Sequence, residues 1–111
     1  MTIARANFER MLAAGTDNAL LRFSLGQDYL NSGDAAIAAT HLERAVQFDP
    51  GYTAAWKLFA RALAESGQVP AAITAYRQGI AVAQRKGDKQ ALREMEVFLR
   101  RAEKLVAPPQ D

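Results

Sequence analysis

The sequence predicts an all-α protein, a solenoid of helical hairpins in which about six antiparallel helices form a single domain over residues 1–111. Apolar residues recur at intervals of three and four in six separate segments, which is the period of an amphipathic helix. Glycine, proline or aspartate stands at most of the breaks between those segments, where helices end and begin. The chain is 50% hydrophobic, with many alanines, and that composition suits closely packed helices better than a sheet.

Most of the six helices have a recognisable start. Asp17 or Asn18 can cap the second helix, Asp34 the third, Thr53 the fourth and Asp88 the sixth, because short polar side chains accept hydrogen bonds from the first free amides of a helix. The predicted helices are 3–14, 18–31, 35–48, 53–65, 69–86 and 89–106. The fifth has no internal stop before a glycine, so we predict that it is longer than the third.

The best-defined hairpin lies between residues 18 and 50. Leu25, Gly26 and Tyr29 share a face of its first helix, and Ala38 and Leu42 share a stripe of its second. The two helices should approach most closely at Gly26. A leucine there is expected to overpack the contact, at a cost of roughly 1–3 kcal/mol.

The same pattern returns 34 residues later. The matched pairs are Arg22 and Trp56, Leu25 and Phe59, Gly26 and Ala60, Tyr29 and Leu63, Ala38 and Ala72, Leu42 and Tyr76, and Ala45 and Gly79. This spacing resembles the tetratricopeptide repeat, whose signature is Trp-x2-Leu-Gly-x2-Tyr, then Ala-x3-Phe, then Pro. Pro50 supplies the closing proline of the first copy. Arg22 departs from the signature tryptophan, which Trp56 supplies in the second copy.

The resemblance implies a right-handed solenoid with two full repeats and atypical ends. Residues 19–52 form repeat one and residues 53–86 form repeat two. Residues 1–16 are predicted to be the second helix of an earlier half-repeat, since Ala4 and Phe8 match Ala38 and Leu42. In residues 87–106 the signature is lost, and an apolar stripe is predicted to cap repeat two. The stripe consists of Leu92, Met95, Leu99 and Ala102. Two prolines then predict a mobile tail over residues 107–111.

Composition excludes several classes of protein. The net charge is +2 with both signs interspersed, and there is no cysteine, which excludes disulfides, thiolate metal sites and cysteine nucleophiles. No apolar run is long enough to span a membrane. The first ten residues have no apolar signal core, so we expect a cytoplasmic protein.

The candidate catalytic residue is His41, the single histidine. It can be interpreted as a general base or metal ligand, or as a partly exposed helix residue. Metal binding needs further ligands, and catalysis needs an orienting carboxylate and a nucleophile. Glu43 and Asp34 are near His41 in sequence but not three or four residues away. We therefore predict no catalytic residue, no cofactor and no metal.

Two further patterns have alternative interpretations. Trp56, Phe59 and Tyr76 can form an aromatic ligand box or pack inside repeat two, and their signature positions favour packing. Between Arg85 and Lys104 there are seven basic and four acidic residues with a single aromatic. Nucleic-acid binding needs an unopposed basic patch or interleaved aromatics, so a solvated face is favoured and nucleic acid is not expected.

The resemblance also implies a binding surface, because first helices of tetratricopeptide repeats line a concave groove that holds a peptide. The predicted groove residues are Leu20, Phe23, Gln27, Asn31, Lys57, Arg61 and Glu65. Lys57 and Arg61 lie one turn apart, so they suit an acidic segment. Leu20 and Phe23 suit an apolar anchor, although Phe23 can alternatively pack under the first helix.

Some family members hold a terminal carboxylate with a lysine and asparagine clamp. The aligned positions here are Phe23, Gln27 and Leu58, so that clamp is absent.

The sequence thus predicts a non-enzymatic protein–protein interaction module for a partner with apolar and acidic residues, with no membrane contact. The alternatives are a homo-oligomer, such as a homodimer, and a weak RNA-binding accessory protein. A partner that contacts the second helices instead, at Thr40, Glu43, Arg44 and Gln47, would make the convex face the working surface.

Overall fold

The computed structural model describes residues 3–106, and this part of the chain forms six α-helices. The helices are α1 (Ile3–Ala13), α2 (Ala19–Asn31), α3 (Ala35–Phe48), α4 (Thr53–Glu65), α5 (Val69–Lys86) and α6 (Lys89–Val106). The predicted all-α hairpin solenoid is confirmed, and α5 is longer than α3 as expected. Residues 107–111, for which a mobile tail is predicted, lie outside the described residues.

Each hairpin packs on its sequence neighbours, so the molecule is elongated, with extents of 54 × 30 × 19 Å. Among residues 3–106, no helix combines enough length with enough apolar character to cross a membrane.

Side-chain caps begin two of the helices as predicted. The amide of Leu21 donates to Asn18 Oδ1 at 2.8 Å, and the amide of Ala91 donates to Asp88 Oδ1 at 3.0 Å. Asp34 precedes α3 but makes no capping bond through its side chain. The prediction of Thr53 as a cap is wrong, because Thr53 is already the first residue of α4 and Tyr52 precedes it.

The core follows the repeat signature. Leu25, Leu42 and Met95 are the largest fully buried side chains in residues 3–106. A β-carbon on Gly26 would collide with the side chain of Leu42, so α2 and α3 pack closely there and leave no room for a larger residue. Ala60 is also fully buried at the equivalent position of α4, as the predicted repeat register requires.

The last helix keeps the repeat pattern with a shift of two residues. Helices α2 and α4 begin at residues 19 and 53, one period apart, whereas α6 begins at 89 because α5 continues to Gly87, which has a left-handed φ of 71°. Counted from the first residue of each helix, Met95 takes the position of Phe59, and Leu92 that of Trp56. Met95 Sδ would lie only 2.6 Å from a β-carbon on Gly79 of α5. The apolar positions of the signature are therefore displaced by two residues in α6, whereas its small residue is absent, since Glu96 stands at the position of Gly26 and Ala60.

Helix α1 is attached differently from its prediction. Of its apolar residues, Ala4 and Met11 are exposed, and Phe8 and Leu12 are half-buried. The buried residue of α1 is Arg5. Polar contacts between α1 and α2 therefore replace most of the apolar packing that a half-repeat would supply.

Candidate functional site

The first helices of the hairpins, α2, α4 and α6, lie side by side and line one side of the solenoid, called the concave groove below. A cavity of about 460 Å³ lies in this groove between α4 and α6. The predicted residues of α4, namely Lys57, Arg61 and Glu65, all line it. We take this cavity as the candidate site because it combines an apolar floor with charged edges.

The floor of the cavity is apolar and aromatic. Leu58, Tyr76 and Phe98 line it, and the rings of Tyr76 and Phe98 stack with their centroids 6.1 Å apart. Tyr76 is only 3% exposed, and this burial raises its pKa to about 12. The hydroxyl therefore keeps its proton at neutral pH and is able to donate a hydrogen bond.

The edges of the cavity carry paired charges. Lys57 Nζ donates to Glu94 Oε2 at 3.1 Å, and Arg61 Nε donates to Glu65 Oε2 at 2.6 Å. The prediction that Lys57 and Arg61 lie together is consistent with their shared cavity, but they do not form an unopposed positive patch. Glu94 from α6 pairs with Lys57, and Glu65 of α4 itself pairs with Arg61, so each cation already has a carboxylate partner.

The groove residues of α2 divide into exposed and packed ones. Leu20 is 67% exposed, and Gln27 and Asn31 are also exposed. Phe23 is half-buried, and its ring stacks on Tyr52 with centroids 4.9 Å apart. Phe23 therefore has a packing role, since it joins α2 to the turn before α4.

Five residues of the cavity were not predicted as site residues. They come from three different helices and are Leu58, Ala64, Tyr76, Glu94 and Phe98. Tyr76 occupies a signature packing position, so it was assigned to the core only. The start of α6 lies 36 residues after that of α4, two more than the period of 34 residues. With this shift included, the repeat pattern would have placed α6 in register beside α4.

A polar network joins α1 to the first hairpin. The Arg5 guanidinium pairs with the Asp28 carboxylate and lies 4.0 Å from the centroid of the Tyr29 ring. The Tyr29 hydroxyl donates to Glu9 Oε1 at 2.7 Å. This hydrogen bond raises the pKa of Tyr29. The network holds α1 against the first hairpin.

His41 packs into this network from α3. It is buried, stacks on Tyr29 with ring centroids 5.5 Å apart, and its Nδ1 lies 3.1 Å from Arg22 Nη1. Burial, followed by the charge of Arg22, lowers the pKa of His41, so the ring is neutral and Nδ1 accepts from the guanidinium. Within residues 3–106, no group of three His, Cys, Asp or Glu side chains is arranged to hold a metal.

Arg22, which stands at the position of the signature tryptophan, is held in place by the carboxylate of Asp17. Both its Nε and Nη2 donate to Asp17, at 2.7 and 2.9 Å. These hydrogen bonds lower the pKa of Asp17 and raise that of Arg22. The arginine therefore links the α1–α2 loop to His41.

The second-repeat tryptophan packs as predicted. Trp56 is half-buried, its Nε1 donates to the carbonyl of Pro50 at 2.8 Å, and its ring centroid lies 6.2 Å from that of Phe59. The hydrogen bond satisfies the indole N–H while the ring rests against the core.

The basic residues of α5 and α6 do not form a stacking platform. Phe98, the single aromatic between residues 85 and 104, stacks on Tyr76 and has Arg101 5.5 Å from its centroid. Glu94 and Glu103 pair with Lys57 and Arg77. These two carboxylates of α6 therefore pair with cations of α4 and α5, and the single aromatic of the segment is already stacked. The expectation that nucleic acid does not bind here stays a prediction.

Comparisons with known proteins agree with this architecture. A model of the tetratricopeptide repeat matches residues 29–94, and a second model of that repeat matches residues 2–52. The TPR repeat-containing protein PA0015 of Pseudomonas aeruginosa is 53% identical over 96 residues, which are 86% of this chain and 91% of that protein.

Solved structures show the same fold. The solution structure of protein BPP2914 from Bordetella parapertussis aligns with a TM-score of 0.79 and 42% identity, over 94% of this chain and 90% of that one. The solution structure of a tetratricopeptide repeat domain protein from Salinibacter ruber aligns with a TM-score of 0.73 and 26% identity, over 86% and 96% of the two chains.

Proposed function

This chain belongs to the tetratricopeptide repeat family, and from that premise we propose that it binds a peptide segment of a partner protein in its concave groove, without catalysis or a cofactor. Domains of this family bind protein partners. The observation that carries the proposal is the cavity of about 460 Å³ between α4 and α6. Its size suits one or two side chains of a partner, rather than a whole helix.

The floor of the cavity determines what enters it. Leu58, Tyr76 and Phe98 offer apolar area, so an aliphatic or aromatic anchor of the partner supplies most of the affinity. The Tyr76 hydroxyl, protonated at neutral pH, is able to donate to a backbone carbonyl beside the anchor. These features define an extended segment with one apolar residue at its centre.

The charged edges determine the flanks of that segment. Acidic residues of the partner displace Glu94 from Lys57 and Glu65 from Arg61. Because such an exchange replaces one exposed ion pair with another, its net contribution is about 0–1 kcal/mol. Charge therefore sets the register and the association rate more than the affinity.

The test is capture of a partner from a lysate with two matched variants. Ala64 lines the concave cavity, so Ala64→Arg should fill it and weaken partner binding by about tenfold or more. Ala71→Arg adds the same side chain at an exposed position of α5, outside the concave groove, and should leave the partner bound. Both variants must first give the melting curve of the parent protein.

Chemical-shift perturbation with the captured partner then locates the contact. Shifts at Leu58, Arg61 and Phe98 are expected. Shifts confined to the second helices, at Thr40 and Glu43, would overturn the concave groove as the binding surface. A concentration-dependent dimer that Ala64→Arg abolishes would instead identify this groove as a contact between two copies.

A further inference from the structure

A second groove runs between α3 and α5 on the opposite side of the solenoid, and it is called the convex groove below. Two cavities of about 500 and 210 Å³ lie in it. Both are lined by Glu43, Phe59, Leu63 and Gln68, so they form one continuous trough. Helix α4 supplies the floor of the trough, and α3 and α5 supply its walls.

The convex groove combines an apolar floor with one charged residue and a polar rim, which consists of Thr40, Gln68, Thr74 and Gln78. Trp56, Phe59 and Leu63 form the floor, and alanines of α3 and α5 line the walls. Glu43 is the charged residue that lines both cavities. It is exposed and takes part in no ion pair within residues 3–106.

The equivalent positions one repeat earlier show what such a groove accommodates. There Arg5, Tyr29 and His41 stand where the convex groove has Ala39, Leu63 and Ala75. The Arg5 guanidinium lies over the Tyr29 ring, and Tyr29 in turn stacks on His41. Large side chains of the protein itself therefore fill the earlier groove.

The carboxylate beside the earlier groove is also repeated. Glu9 stands one period before Glu43, and it accepts the hydrogen bond of the Tyr29 hydroxyl. In the second repeat Leu63 has no hydroxyl to offer. Glu43 therefore keeps its hydrogen-bonding capacity, next to an aromatic floor and alanine walls.

We propose that the convex groove binds an arginine-bearing segment of a partner protein, with the guanidinium paired with Glu43 over the aromatic floor and aliphatic neighbours of the arginine against the alanine walls. The planar guanidinium stacks on aromatic faces and pairs with a carboxylate at once, which lysine does less well. The intramolecular precedent is Arg5, which meets both an aromatic face and a carboxylate, that of Asp28, in repeat one. This inference is independent of peptide binding in the concave groove.

Trp56, the single tryptophan of the chain, makes the groove directly observable. The probe is a short alanine- and leucine-rich helical peptide with one central arginine. Titration of the full chain should change Trp56 emission and shift the amide signals of Glu43, Phe59 and Ala75. The expected Kd is on the order of 0.1–1 mM, since one side chain and a few aliphatic contacts carry the affinity.

Two peptide controls test the arginine itself. Replacement of that arginine with glutamine should weaken binding about three- to fivefold, and replacement with glutamate should weaken it further. Equal binding of the arginine and glutamate peptides would overturn the proposal, because the groove would then be only an apolar surface.

Variants of the protein test where the arginine of the peptide binds. Glu43→Gln should remove the preference for arginine over glutamine while apolar binding remains. Ala71 lies on the wall of the groove. Ala71→Arg should weaken binding of the arginine peptide about tenfold, because the protein's own arginine then occupies the groove and repels the peptide. Ala64→Arg, in the concave cavity, should leave the affinity for the arginine peptide unchanged. The two variants therefore distinguish failure of this inference from failure of the proposed function.

Two results would overturn the assignment. Shifts that cluster at Leu58 and Phe98 would place the peptide in the concave groove. A concentration-dependent dimer in light scattering, abolished by Ala71→Arg, together with no effect of Glu43→Gln on the peptide, would show that a second copy covers the convex groove.

Discussion

The two terminal helices close the solenoid by different physical means. Helix α1 has Arg5 as its buried residue, and its attachment consists of an ion pair, a cation over the Tyr29 ring and a hydrogen bond from Tyr29 to Glu9. Helix α6 buries Met95 and Ala102 against the end of repeat two and presents mostly charged residues outward.

The difference shows that an atypical end of a repeat array need not be an apolar cap. Apolar packing at α6 is expected to be insensitive to pH and to stabilise the whole array. Polar attachment at α1 is expected to depend on a few groups, and its loss should stay local.

Removal of each terminal helix tests this comparison most strongly. A chain that ends at Lys86 leaves the α5 surface around Gly79 uncovered, and we expect it to lose its cooperative melting transition and to bind a hydrophobic dye. A chain that begins at Gly15 should still melt cooperatively, because α2 to α5 keep their packing. Circular dichroism and size-exclusion chromatography measure both. A monomeric chain ending at Lys86 with an unchanged Tm would make α6 an independent arm instead of a cap.

Met95→Ala tests the contact between α6 and α5 with a single substitution. Met95 is fully buried and lies against Gly79, so truncation should leave a cavity and cost about 2–5 kcal/mol of the free energy of unfolding. Val97, at 37% exposed, gives a matched control on the same helix, and Val97→Ala should change stability by about 0.5 kcal/mol or less. Equal losses in the two variants under urea denaturation would argue against a buried α6 contact.

Arg5→Met should have a smaller and more local effect. The substitution keeps an unbranched apolar stem but removes the charge that pairs with Asp28, and a loss of about 1–3 kcal/mol is expected. Amide hydrogen exchange should show faster exchange in α1 and little change in α4 to α6. Arg10→Met, at an exposed position of α1, is the control. Unchanged exchange in α1 would show that Arg5 does not hold the helix.

Protonation of His41 should give the smallest effect. Its folded-state pKa lies below the ordinary 6.5, because of burial and the charge of Arg22, although Glu9 and Asp17 act in the opposite direction. The unfolded chain therefore binds the proton first, and stability falls as the pH drops below 6.5. Melting curves at pH 7.5 and 5.5 measure the loss.

His41→Gln is the control for this titration. The variant should show a smaller difference in Tm between the two pH values, since it removes the only histidine of the chain. A pH response as large as that of the parent protein would assign the titration to other groups.

Local signals along the chain were sufficient to predict the number of helices, their order and the repeat register. Apolar period, glycine breaks and the caps at Asn18 and Asp88 are local signals, and each acts within a few residues of the chain. Translation by one period also identified Gly26 and Ala60 as the close approaches. These features were predictable because the short-range chemistry and the final packing agree.

The tertiary structure decided how charges and aromatics are shared between helices. Glu94 neutralises Lys57 from a helix 37 residues away, and Phe23 packs on Tyr52 across a hairpin boundary. Arg5 became buried although it lies on a helix with an apolar face of its own. Such outcomes depend on the rotation and register of packed helices. A two-residue shift in the start of α6 is enough to change which side of that helix faces the groove.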